Sequence, residues 1–110
     1  MRMLDIKLEK KNLDNGVWRD KSINASLCLY NGILELFMES HLEIWQRLSI
    51  EDTTKLLKAM EIYEKSDEDM KTAFLEIFTK DAIAEKGSEK IFLELCEKYD
   101  VKPVYGAYFM

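Results

Sequence analysis

Two periodicities divide the chain. Up to about residue 48 apolar residues alternate with polar ones; beyond it they recur every three or four positions. The stretch GILELFMESHLEIW, residues 32–45, shows the first kind most clearly. Its even positions, Leu34, Leu36, Met38, Ser40, Leu42 and Ile44, make a core face. Its odd positions carry Glu35, Glu39 and Glu43, as a solvated face should, but also Phe37 and Trp45.

The alternating half reads as a four-stranded meander with strands near 3–10, 18–30, 33–38 and 42–48. Asn15-Gly16 and Asn31-Gly32 suit two-residue hairpin turns, because Asn-Gly tolerates the positive φ that both turn positions need. A turn at Asn31-Gly32 sets Tyr30 against Ile33, Leu29 against Leu34, Leu27 against Leu36 and Ala25 against Met38. Every apolar residue then falls on one face, and a slip of one residue would turn that set toward water. A turn at Asn15-Gly16 pairs Leu8 with Ile23, Ile6 with Ala25 and Leu4 with Leu27. The third connection is expected to be a three-residue loop, Glu39-Ser40-His41, with Met38 opposite Leu42 and Leu36 opposite Ile44.

The second half reads as about three helices. Ser49 and Ser66 precede acidic first turns and are candidate N-caps. Leu56, Leu57, Met60 and Tyr63 form one stripe, and Met70, Ala73, Phe74, Ile77 and Phe78 the next. That second helix either stops near Lys80 or runs on to Gly87. Ser88 is a candidate cap for a helix bearing Ile91, Phe92, Leu95, Cys96 and Tyr99, expected to end near Asp100 because Pro103 follows. The aromatic tail from Val104 to Met110 is β-prone and is expected to dock as a fifth strand at a sheet edge. The expected fold class is α+β, one domain over 1–110: a β-meander (1–48), helices on one face of it (49–100) and a β-prone tail (101–110).

Charge narrows the partners. The chain of 110 residues carries a net charge of −5. Residues 1–48 balance, so the excess acidity lies in the second half. That disfavours direct nucleic-acid binding, which needs a cationic surface, and favours a protein partner with a basic surface. No apolar run is long enough for a membrane span, and no signal-peptide pattern opens the chain. A cytoplasmic protein with Cys28 and Cys96 as free thiols is the expectation.

Catalytic and cofactor patterns are missing. One histidine, His41, and two distant cysteines do not make a metal set. No phosphate-binding glycine loop and no nucleophile-elbow motif occurs. The expectation is therefore no catalytic residue, no cofactor and no metal, and not an enzyme.

Two surfaces remain as candidates. In the expected register Phe37 opposes Ser26 and Glu43, Trp45 opposes Glu35, and Trp18 opposes Leu13. Trp18, Tyr30, Ile33, Phe37 and Trp45 then share the sheet face turned away from the helices, a composition that suits a protein interface or a homodimer contact. Glu61, Glu64, Asp67, Glu68 and Asp69 form an acidic side that could dock onto a basic partner, at the extreme by mimicking nucleic-acid phosphates. The reading that follows is an inhibitor or antagonist acting by steric occlusion, of the phage counter-defence or toxin-immunity kind. The alternative is a small enzyme or ligand-binding module with a pocket between sheet and helices.

Overall fold

The computed structural model describes residues 3–13, 21–39 and 42–109. In chain order the elements are β1 (Met3–Leu13), β2 (Lys21–Tyr30), β3 (Ile33–Glu39), β4 (Leu42–Arg47), α1 (Ile50–Ala59), α2 (Asp67–Ile77), α3 (Lys80–Lys86), α4 (Ser88–Lys98) and β5 (Val104–Phe109). The strands form one antiparallel sheet in the order β1-β2-β3-β4-β5. This is the expected α+β arrangement, with the tail placed beside β4.

The β2–β3 hairpin follows the alternation residue for residue. Asn31 and Gly32 both have positive φ, at 51° and 78°, and Tyr30 faces Ile33. Ala25, Leu27, Leu29, Leu34 and Leu36 are buried on the inner face. The four leucines meet Leu56 and Leu57 of α1, Met70 and Phe74 of α2, and Ile91, Phe92 and Leu95 of α4 in one core. Phe74 and Phe92 are fully buried, each contributing roughly 2–3 kcal/mol of hydrophobic stabilisation.

Two registers differ from the alternation argument by two residues. Leu4 faces Leu29 and Ile6 faces Leu27; Met38 faces Ile44 and Leu36 faces Gln46. A shift of two preserves the faces, so inward residues stay inward. On β3–β4 the observed pairing sets Glu35 against Arg47 and Phe37 against Trp45, whereas the expected one set Trp45 and Phe37 against carboxylates. On β1–β2 a bulge between Lys7 and Glu9 inverts the alternation. Glu9 then faces Ala25 on the inner side and accepts a hydrogen bond from Ser88 Oγ at 2.8 Å. Leu13 pairs with Lys21, and the Asn15-Gly16 turn lies outside the described residues.

Ser49 and Ser66 cap as expected, accepting from the backbone N–H of Asp52 and Asp69. Among the described residues the helices number four, because Thr79 caps α3 by accepting from Ala82 N–H and so divides the second helix after Ile77. Ser88 is not a cap: Gly87 takes that position, and the fully buried Ser88 hydroxyl donates to Glu9. α1 ends earlier than its apolar stripe suggests, whereas α4 ends near Asp100 as expected. Glu61 and Asp100 adopt left-handed φ of 60° and 55°. Ile62 N–H then returns to Leu57 O, and Val101 N–H to Cys96 O, both at 2.9 Å. These are Schellman closures. They bury Ile62 and Val101 and leave Tyr63 at the surface.

Candidate protein interface on the open sheet face

The helices pack against the inner face, so the outer face of the sheet is left to small rows of cross-strand neighbours. One row runs Asp5, Cys28, Glu35, Arg47, Val104; the next runs Lys7, Ser26, Phe37, Trp45, Gly106; the third runs Lys10, Asn24, Glu39, Glu43, Tyr108. Tyr30 and Ile33 close the end at the Asn-Gly turn. Four of the five aromatic-face candidates, Tyr30, Ile33, Phe37 and Trp45, thus share this surface, all half-buried. Trp18 lies outside the described residues, as do Ser40 and His41.

A polar network fixes part of the face. Glu35 is only 7% exposed although it sits on the outer side. Its Oε1 accepts from Arg47 Nε at 2.9 Å and Nη2 at 2.7 Å, and its Oε2 accepts from the Tyr30 hydroxyl at 3.2 Å. The Arg47 guanidinium also lies 5.6 Å from the Trp45 ring centroid, a cation–π distance. Tyr30, Glu35, Arg47 and Trp45 are therefore one connected unit. The hydrogen bonds to Glu35 hold the Arg47 guanidinium above its ordinary value. Burial, then the Glu35 charge, pushes the Tyr30 hydroxyl up. Burial, then Asp5 and Glu35, pushes the Cys28 thiol up to about 11. All three shifts lead away from neutrality.

Sequence reasoning passed over two features of this face. The first is Trp45 against Gly106: the indole lies across the glycine so closely that a Cβ there would overlap the ring. The second is Glu39 directly opposite Glu43, with Tyr108 next to Glu43 on β5. Among the described residues neither carboxylate joins an ion pair. Like charges facing each other across a ladder are destabilising. The second was within reach of a correct β3–β4 register, which the Glu35–Arg47 charge match identifies; the first depends on how β5 pairs with β4. Beside the rows, Lys7, Ser26, Phe37 and Glu39 help line a shallow hollow of about 640 Å³.

The five acidic candidates lie on the helical layer instead. Glu61 occupies the left-handed closure of α1, Glu64 follows it, and Asp67, Glu68 and Asp69 form the first turn of α2. All five are exposed. Lys58 Nζ lies 5.1 Å from the Tyr63 ring among them, so the patch is interrupted by a cation. The two candidate surfaces do not merge.

Among the described residues no three His, Cys, Asp or Glu side chains converge as a metal site, and no helix is long and apolar enough to cross a membrane. No protein-family model matches the chain, and searches of curated proteins and of solved structures returned no match.

Proposed function

We propose that this chain is a protein-binding domain that antagonises its partner by steric occlusion, with the outer sheet face as the contact. The observation that carries this reading is the connected unit Tyr30–Glu35–Arg47–Trp45, with Phe37 directly opposite Trp45. Aromatic side chains held by hydrogen bonds lose little freedom on binding, which is what an interface anchor needs. The facing carboxylates Glu39 and Glu43 favour a partner that brings a cation there. An arginine of a basic surface can stack on Phe37 or Trp45 and satisfy both carboxylates. The overall charge of −5 steers the encounter in the same sense. Small size and acidity suit the counter-defence or immunity setting, within the cytoplasm.

Affinity capture from the cell of origin tests the reading. Phe37→Ser and Glu43→Lys should each lose a partner that the unaltered protein retains, while melting as cooperatively as it does. Retention of the partner by both variants would remove this face from consideration.

A second reading rests on a hollow of about 380 Å³ between α1 and the Asn-Gly turn, lined by Gly32, Ile50, Thr53, Thr54 and Tyr63. Its size falls within the range of small-ligand sites. A rise in melting temperature with a small molecule, absent in Thr54→Leu, would favour it.

A further inference from the structure

The two edges of the sheet are built differently. β1 carries charge at Asp5, Lys7, Glu9, Lys10 and Lys11 and is broken by the bulge between Lys7 and Glu9. Charges and bulges are the ordinary means of keeping an edge from pairing with another strand. β5 has neither. Its six residues, Val104 to Phe109, contain no charge and no proline, and its pairing with β4 runs without a shift. Among the described residues, no strand lies beside its outer edge. Val104, Tyr105 and Tyr108 are 69%, 56% and 63% exposed. In a chain where 34% of residues are charged, such a strand stands out.

We infer that β5 pairs edge to edge with β5 of a second copy, joining the two sheets into one. Charge selects this occupant. Two copies of an acidic protein meeting through the helical surface would set carboxylate against carboxylate, whereas β5 against β5 brings no charge to the contact. Geometry allows it, since a strand is antiparallel to its own copy across a twofold axis normal to the sheet. Opposite residues must share a face, so the outward set Val104, Gly106, Tyr108 pairs within itself and the inward set Tyr105, Ala107 likewise. Centring on Gly106 sets Val104 against Tyr108 and Tyr105 against Ala107 of the second copy. Each exposed apolar side chain then meets an apolar neighbour. The Trp45 ring over Gly106 holds the strand in place before it pairs. The outer faces of both copies end up side by side on one surface.

Light scattering over a concentration series tests this. The unaltered protein should weigh twice its 13.0 kDa chain mass, with amide exchange across 104–109 slowing as concentration rises. The double substitution Val104→Lys with Tyr108→Lys sets cations opposite each other at both ends of the contact. These positions are exposed, so the chain should fold as before and be monomeric. Mixing it with Val104→Glu, Tyr108→Glu protein should restore a heterodimer. A monomer at every concentration of the unaltered protein would overturn the inference. So would a dimer that the lysine pair leaves intact.

Discussion

Glu35 and Arg47 face each other across β3 and β4, and one carboxylate oxygen of Glu35 takes both the Nε and Nη2 hydrogens of Arg47. Glu35 is the buried member, while the Arg47 side chain is 43% exposed. Removing the arginine leaves a carboxylate with little water and one remaining partner, Tyr30. Arg47→Met should therefore destabilise the fold by about 2 kcal/mol. Adding Glu35→Leu should recover most of that loss, because the unmatched charge goes too. Urea unfolding of the two single variants and the double variant measures the coupling.

Glu39 and Glu43 should behave in the opposite way. Removing one charge relieves repulsion, so Glu43→Gln should raise stability by about 0.5 kcal/mol. On the proposed function the same change weakens binding to a basic partner. A variant that is more stable and binds less well is the signature of a charge kept for recognition. Denaturant midpoints and an affinity titration against the captured partner give the two readings.

Gly106 should tolerate no side chain while Trp45 is present. Gly106→Ala is expected to cost about 1–3 kcal/mol, since the ring or the strand must move. In a Trp45→Leu background the same substitution should cost much less. Thermal melts of the four proteins close this cycle.

The thiols should be inert and should make the fold alkali-sensitive. Burial, then the Asp52 charge, pushes Cys96 up to about 12, against an ordinary value near 9; Cys28 is pushed up to about 11. Well below pH 9, near neutrality, both thiols are protonated in the folded and unfolded chain and add no pH dependence. As pH rises through 9 the unfolded chain releases its thiol protons first, so stability falls toward the folded values. Urea midpoints from pH 8 to 11 should decline, and less steeply in Cys96→Ala. Thiol labelling at neutral pH should be slow until the protein is unfolded.

Much of this architecture was legible because its local rules agree. Asn31-Gly32 and the leucines around it fix the β2–β3 register, and Ser49 and Ser66 announce their helices. The misreadings share a cause: hydrophobicity reports the face of a residue but not its exact neighbour. A two-residue slip leaves Leu36, Met38 and Ile44 inward, so only charge and ring contacts between Glu35, Arg47, Phe37 and Trp45 separate the two registers. The bulge at Leu8 has no glycine to mark it. The helix closure at Glu61 likewise uses a residue that rarely takes left-handed φ. On the candidate interface, the sequence placed Tyr30, Ile33, Phe37 and Trp45 on one face. It did not reveal the network that holds them, which depends on the true register.

The most direct test of the outer face as the partner site is a comparison of two variants in one binding measurement. Phe37→Ser alters the centre of the sheet face; Glu64→Lys with Glu68→Lys alters the acidic helical side. Titrating the captured partner by calorimetry, the account predicts at least a tenfold loss of affinity for Phe37→Ser and a change of less than threefold for the lysine pair, with both variants folded. Loss with the lysine pair and full binding by Phe37→Ser would contradict it and move the contact to the helices.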